Sequence, residues 1–394
     1  MKTTHPTVAI VGGGLAGCEA AGLLARAGVP VRLYEQKPLA RSPAHVADTL
    51  AELVCSNTFR SDEMDTGAGV LKAELRRLGS LIVEAADATR IPGGSALAVD
   101  RLRFSAAVTE RLHAMPEVEV VARAVASLAE IEEAHVIVAT GPLTGDALAE
   151  DLRACLGHEH LAFVDAIAPI IDAESLNMDK LFFGSRYGKG EPDAYLNAPM
   201  TREQYEDFVT ELLDADRVTP RAYEDVKTFQ GCQPIEAIAE QGADALAFGP
   251  MKPVGLSAPD GSRPAAVVQL RREDAGGHAW NLVGFQTRLR HSDQKRVLRL
   301  IPGLENAHIL RYGTIHRNTF VDHPAVAQTD LCLVADPRVR LAGQITGVEG
   351  YIESTASGWL VAHALLAQLE GRAFDPPPPT TTLGGLYRHV TSRS

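Results

Sequence analysis

The chain has 394 residues, enough for two domains rather than one ordinary core. Hydrophobic residues make up 45% and charged residues 22%, and no apolar run approaches the roughly 18 residues that would span a bilayer. The first residues read as neither a signal nor a transit peptide, so a soluble cytoplasmic protein is expected and no membrane partner. The net charge of −12 argues against nucleic acid for the molecule as a whole, yet residues 251–320 carry 11 Lys or Arg against 5 Asp or Glu. A basic face on an acidic protein can still hold phosphates, because charges act over a Debye length of roughly 8 Å.

Val8-Ala9-Ile10-Val11 is a short apolar run suited to a buried parallel strand, and Gly12-Gly13-Gly14-Leu15-Ala16-Gly17 follows at once. An Ala-rich segment, Cys18 to Ala27, predicts a helix that Gly28 ends, and Val29 to Glu35 predicts a second strand. This βαβ context is what makes a GxGxxG spacing informative. The first glycine turns tightly, the second lets backbone approach a pyrophosphate, and the third lets helix and strand pack closely. The helix N-terminus offers unpaired N–H groups to phosphates. Glu35, 18 residues after Gly17, is placed to hold ribose hydroxyls. Dinucleotide binding is therefore expected, although the motif alone does not separate FAD from NAD.

A Pro-containing loop, Gln36 to Asp48, precedes Cys55-Ser56-Asn57, where a thiol sits among small polar residues with Arg60 near in sequence. Arg60 would lower the thiol pKa if it were also near in space. Helices are predicted over Gly69 to Ala86 and Ala98 to Ala114, and strands over Val118 to Val121 and Ala134 to Pro142, the latter ending in Ala-Thr-Gly141. From about Asp165 the helix–strand alternation gives way to turns and short β-like runs such as Ala265 to Leu270 and Asn281 to Gln286. We read 165–298 as an inserted α+β domain, with 1–164 and 299–394 forming a discontinuous cofactor-binding domain. The fold class expected is α/β, a Rossmann-like domain of the glutathione-reductase kind carrying an α+β insertion. Cys232, bracketed by Gly231 and Pro234, lies in the insertion, and Phe248 to Gly255 is a rigid loop. Arg340 to Gly358 then returns to nucleotide-binding texture: a strand, a glycine-punctuated loop and a helix over Tyr351 to Gln368, whose N-terminus suits an anionic reduced flavin. Pro376 to Pro379 reads as a stiff tether and Thr380 to Ser394 as a short helix. The five cysteines (Cys18, Cys55, Cys155, Cys232 and Cys332) are odd in number and lack CxxC spacing, which argues against a disulfide framework or a metal site. Cys18, Cys155 and Cys332 fall in apolar or helical runs and read as core.

Taken together these stretches resemble a family: GGGLAGCEAA, AELVCSNTFRSD, LGSLIVEAAD, GCQPIE, FGPMKPVGL, RYGTIHRNTF and AGQITGVEGYIESTASG are similar to the folate- and flavin-dependent RNA uracil-5-methyltransferases, the TrmFO family. The resemblance covers almost the whole chain. It implies FAD with its pyrophosphate at Gly12, Gly13, Gly14, Leu15, Ala16 and Gly17 and its ribose on Glu35. Gly141 and the loop bearing Gly343, Gln344, Gly347 and Gly350 would approach the flavin. Methylenetetrahydrofolate would donate a one-carbon unit, NADH or NADPH would reduce the flavin, and tRNA would be the acceptor, at its T-loop uridine. The family's two functional cysteines correspond to Cys55 and Cys232. The chemistry requires such groups: a thiolate adding to uracil C6 makes C5 nucleophilic, and a base must then remove the C5 proton. We read Cys232 as nucleophile and Cys55 as base or thiol partner, with the roles exchangeable at the level of sequence. His316 and Arg317 would meet a folate tail or RNA phosphates, Lys252 the folate carboxylates, and Arg271, Arg272, Arg288 and Arg290 phosphates. Three features depart from the family: the chain stops earlier, Ala247 stands where an Arg is usual, and the protein is acidic. They leave open a changed acceptor (ribosomal RNA, another nucleic acid or a small molecule), an RNA-free folate- or nicotinamide-linked flavin oxidoreductase, and a non-catalytic FAD-binding protein. Oligomeric state is not legible.

Overall fold

The computed structural model describes residues 5–42, 44–157, 160–166, 168–218, 233–256, 258, 259 and 261–392. The first half is built on a parallel sheet. Strand β1 (Val8–Val11), buried at every position, leads into helix α1 (Leu15–Arg26) and β2 (Val31–Glu35). A side unit follows, comprising β3 (Thr58–Ser61), α2 (Gly67–Arg77), α3 (Leu81–Ala88), β4 (Arg90–Ile91) and β5 (Ala96–Val99). Helix α4 (Arg101–His113), β6 (Val118–Ala122), β7 (His135–Val138) and α5 (Asp146–Leu156) complete it. The single helix expected over 69–86 is two. Gly79 takes φ +70°, and the Ser80 hydroxyl accepts from Val83 N–H at 3.2 Å, so a cap starts a new helix there. The expected helix over 98–114 begins only at Arg101, because Asp100 caps it by accepting from Arg103 N–H.

The chain crosses to its second half through β8 (His160–Ala166). There β9 (Ile170–Asp172), β10 (Phe182–Phe183), β11 (Tyr195–Met200), α6 (Arg202–Asp214), α7 (Ile235–Ala239) and α8 (Ala245–Phe248) follow. Next come β12 (Ala266–Arg272), β13 (Ala279–Leu282), α9 (His291–Leu298) and β14 (Ile309–Arg311). The return is β15 (Ile315–Val321), antiparallel to β8. Then α10 (His323–Val326), β16 (Val339–Leu341), α11 (Tyr351–Leu369) and α12 (Thr382–Thr391) rejoin the first half.

The parallel sheet runs β16-β7-β1-β2-β6, and the six-stranded sheet β10-β11-β12-β13-β9-β14. The second unit therefore reaches past the expected boundary at 298. Ile309 pairs with Ile171, and Ile301, Leu304 and Ala307 belong to the second core, so the return to the first half follows β14. The parallel sheet has an apolar core on each face, one around α1, α3 and α11 and one around α5 and β16, and the six-stranded sheet has its own around α6 and β12. Helix α11 lies directly on α1: a Cβ at Gly358 would sit 2.2 Å from the Ala16 carbonyl oxygen. That contact needs glycine, and it sets the body of α11 on the start of α1. Among the described residues no helix is long and apolar enough to cross a membrane.

Candidate active site

The glycine turn after β1 is built as its spacing requires. Gly12 takes φ +107°, and a Cβ there would lie 2.6 Å from Ala139 O. At Gly17 a Cβ would lie 1.9 Å from Gly12 O, so the third glycine is what allows α1 to start against the strand. Around Gly14 there is room, with nothing nearer than 3.9 Å to a built Cβ. Leu15 and Ala16 are buried in the first turn of α1, which has no side-chain cap and leaves its N–H groups to a ligand. A cavity of about 230 Å³ opens here, lined by Gly12, Gly13, Gly14, Glu35, Arg123 and Thr144 among others. Glu35 accepts from Gly13 N–H at 2.9 Å and Lys37 N–H at 3.0 Å, which fixes the carboxylate at the cavity wall with lone pairs to spare.

Gly141 takes φ +66° with open space about it, just after β7. The loop before α11 closes on the same turn from the other side. Gly343 lies where a Cβ would come 2.9 Å from the Ala16 Cβ, and its N–H donates to Ser357 Oγ at 3.0 Å. Gln344 is half-buried in the 3-10 turn Gly343–Thr346, and Gly347 and Gly350 take φ +85° and +110°. These residues fit a dinucleotide: a cradle that any side chain would fill, an uncapped helix start and an oriented carboxylate. Arg123, 5.8 Å from the Tyr34 ring centroid, is a cavity residue that the sequence reading did not find. His45 lies at the same wall, and burial holds its imidazole below the usual range.

Cys55 lies at the N-terminus of α11, held by its first residue. The Cys55 and Ser56 N–H groups both donate to the Tyr351 hydroxyl oxygen, at 2.8 and 3.1 Å. Burial, with the Cys55 thiol next in weight, drives the Tyr351 phenol far above its ordinary range, so it stays neutral. Asn57 has no exposed surface. Its Nδ2 donates to Val99 O at 3.0 Å and Arg272 O at 2.8 Å, while its Oδ1 accepts from Arg271 Nε at 2.9 Å. Arg101 donates to Leu53 O just before the thiol and pairs with Glu273 at 2.7 Å, both side chains nearly buried. Lys72 fixes the strand that follows, donating to Phe59 O, Ser61 O and Ala68 O, and burial pulls its pKa down to about 8. The Cys55 loop is thus pinned from α11, from α4 and from β12 of the second unit.

Arg60 is committed to a carboxylate of α11. Its guanidinium pairs with Glu353 at 2.9 Å. Of the expected phosphate contacts, Arg272 is engaged by Asp193 at 2.9 Å and lies over the Phe183 and Trp280 rings. Arg288 is bound by the wholly buried Glu236 at 3.2 Å. Arg271 gives its Nε to Asn57 across the seam between the units, while Arg272 and Arg288 are engaged within the second unit. Arg290 is exposed at the start of α9, and Lys252 is exposed on its loop. His316 and Arg317 lie on β15 opposite Asp165 and Val164, with their side chains outside the described part. Cys232 lies outside the described residues. Cys18 is buried with its Sγ donating to Gly13 O at 3.3 Å, and burial drives its thiol pKa far up. Burial and Asp330 push Cys332 to about 11. Cys155 is only half-buried on α5, not a core residue. No group of three metal-type side chains occurs among the described residues.

Asn57, Arg101, Glu273 and Tyr351 escaped the sequence reading. Asn57 and Tyr351 stood inside quoted motifs; the Arg101–Glu273 pairing had no local signal.

The chain is similar to known proteins along nearly its whole length. A family model described as glucose inhibited division protein A matches residues 7–373. A methylenetetrahydrofolate–tRNA-(uracil-5-)-methyltransferase TrmFO of Myxococcus xanthus is 56% identical over 396 residues, covering 100% of this chain and 86% of that protein. The TrmFO of Paramagnetospirillum magneticum is 51% identical, covering 98% and 87%. In solved structures, Aquifex aeolicus GidA in its form I crystal superimposes with a TM-score of 0.74 at 16% identity, covering 98% of this chain and 70% of that one. Its form II crystal gives 0.69, covering 95% and 65%. At that identity the likeness speaks for the fold: a Rossmann α/β unit with an additional antiparallel sheet.

Proposed function

Because the chain belongs to the TrmFO family, within the wider glucose-inhibited-division-protein-A group, we propose that it is a folate- and FAD-dependent methyltransferase forming 5-methyluridine in tRNA. The observation that carries the reading is that one helix start serves both halves of the chemistry. The loop before α11 closes the dinucleotide cradle at Ala16, and the first residue of α11, Tyr351, holds the backbone of Cys55. A thiol placed beside a dinucleotide site is what a reaction combining covalent activation of a base with flavin reduction needs.

Gly12 to Gly17 would hold the FAD pyrophosphate, Glu35 a ribose, and the Gly343–Gly350 loop the flavin end. When bound and reduced by NADH or NADPH, FAD supplies the hydride that turns the transferred methylene into methyl. The chain's own residues do the rest. Cys232 adds to uracil C6 as a thiolate, making C5 nucleophilic toward the methylene from methylenetetrahydrofolate. Cys55 takes the C5 proton as the bond from the methylene to tetrahydrofolate breaks, leaving an exocyclic methylene on C5; when that methylene is reduced to methyl, the C5–C6 double bond re-forms and the Cys232 thiolate leaves. The neutral Tyr351 and the carboxamide of Asn57 keep the Cys55 loop fixed without adding a charge beside the reacting base.

The test is a methylation assay with FAD, NADPH, methylenetetrahydrofolate and a tRNA transcript lacking the T-loop methyl group, read by nucleoside mass spectrometry. The expected result is 5-methyluridine, lost in Cys232→Ala and Cys55→Ala. Wild-type yield from both variants would remove the two thiols from the mechanism.

A further inference from the structure

Outside the cradle, Tyr187 is, with Arg60 and Leu331, a bulky residue in a costly backbone state. Tyr187 takes φ +57°, a left-handed conformation that a bulky side chain rarely adopts, and its side chain is 66% exposed at residue level. Two loops interlock to hold it there. Tyr187 N–H donates to Gly255 O at 2.8 Å, and the Arg186 guanidinium donates to the Lys252 and Val254 carbonyls. Gly255, at φ +85°, lies so close that a Cβ would come 2.9 Å from the Tyr187 ring. One face of the ring therefore rests on backbone and the other is turned to solvent.

The surroundings are chemically specific. Lys252 is exposed and has no ion-pair partner among the described residues, and Val254 beside it is 53% exposed. Lys189 reaches Glu63 at 3.3 Å, and Glu191 accepts from Gly94 N–H at 3.2 Å. These contacts seat the Tyr187 loop on the Gly93–Gly94 turn, where Gly190 packs against Gly94 and the Tyr195 hydroxyl donates to Gly93 O at 3.1 Å. That turn leads into β5, and β5 pairs with β3, the strand that follows Cys55 to Asn57. The exposed ring thus belongs to a loop seated beside the Ser61–Glu63 end of β3, the strand that leads away from Cys55.

We propose that Tyr187 is a stacking platform for an unpaired base of the RNA acceptor, with Lys252 binding an adjoining phosphate. This rests on the RNA methyltransferase reading above. A rigidly held aromatic face beside a cation suits single-stranded nucleic acid, because every base offers a π-face and every linkage a negative charge. Beside Lys252 the exposed apolar side chains of these two loops are Tyr187, Val254 and Phe248.

The experiment uses the FAD-loaded full chain and a fluorescent T-arm hairpin transcript, with binding followed by anisotropy over a salt series. Tyr187→Ala is expected to weaken binding by roughly 5- to 150-fold, the range for losing one base–aromatic stack. Tyr187→Phe, which keeps the ring, restores affinity to within about twofold of wild type by the same reasoning. Lys252→Gln is expected to make the salt slope shallower by about 0.7, one single-strand phosphate contact. Flavin absorbance of each variant establishes that it is folded. Wild-type affinity in Tyr187→Ala overturns the platform while leaving the RNA reading intact. If the wild-type protein neither binds nor methylates the hairpin, the RNA reading itself falls and the platform with it.

Discussion

Replacing Asn57 with alanine would strip the seam between the two units of its central group. The carboxamide is fully buried and has three partners: the Val99 and Arg272 carbonyls and the Arg271 Nε–H. Alanine reaches none of them. A buried polar group left unpaired costs about 1–3 kcal/mol. Taking the low end for each of the three partners gives about 3 kcal/mol, since water entering the gap would recover part of the loss. With an unfolding entropy of about 2.1 cal/mol/K per residue, the melting temperature falls by about 4 °C. The assay is thermal denaturation of the FAD-loaded protein, with intrinsic fluorescence and flavin release followed together. Flavin release tracking the same shift would show that the seam and the cradle fail as one. Asn57→Asp keeps the acceptor for Arg271 and loses both donors, so it separates the two shares. A shift below about 1 °C for Asn57→Ala would mean that the seam is held elsewhere, and that the Cys55 loop does not depend on it.

Other outcomes follow from the same geometry. Gly17→Ala places a methyl 1.9 Å from Gly12 O, so the purified variant is expected colourless, its flavin-to-protein absorbance ratio near zero; normal flavin content would show that α1 can shift. His323 donates Nδ1–H to Val390 O at 2.6 Å, its Nε2 is buried without a partner among the described residues, and burial holds its pKa below the usual 6.5. The unfolded chain therefore binds more protons than the folded one between the lowered pKa and 6.5, and stability falls as pH drops through that window. His323→Asn removes this titration and flattens the melting-temperature profile between about pH 7 and 5; an unchanged slope would assign it to other groups. Arg288→Ala leaves the buried Glu236 without its cation and is expected to lower the melting temperature by several degrees, whereas an unaffected melt would mean that Thr287 and the Arg288 N–H suffice.

Local pattern revealed the cofactor half because the glycine spacing, the strand before it and the carboxylate after it all act within thirty residues. The helix break at Gly79 was missed because the apolar spacing runs straight through it; the cap at Ser80 decides, and a serine is a weak signal amid a good helical pattern. The arginines illustrate the larger difficulty. Arg271, Arg272 and Arg288 look alike in a basic segment, but their partners Asn57, Asp193 and Glu236 are distant in the chain, and only folding shows that they are engaged. Arg60 adds a partner that its sequence neighbourhood did not announce: its guanidinium is bound to Glu353, from a backbone with a left-handed φ of +61°. The boundary at 298 fell short because a three-residue strand, Ile309–Arg311, is too brief to announce itself.

The paired crossing strands have an engineering consequence. Ala166 lies opposite Ile315 and His160 opposite Val321, so the outgoing and returning backbone form one ribbon. Excising 167–314 and closing the gap with a two-residue turn would convert that ribbon into a β-hairpin, leaving the cofactor half as one unbroken chain. The surface laid bare would include Asn57, Asp100 and Arg101, hydrophilic groups that water can satisfy, while the apolar core around α1 and α11 would stay covered. A flavin-binding miniature of roughly two domains' connectivity reduced to one is thereby written into the register of seven residue pairs.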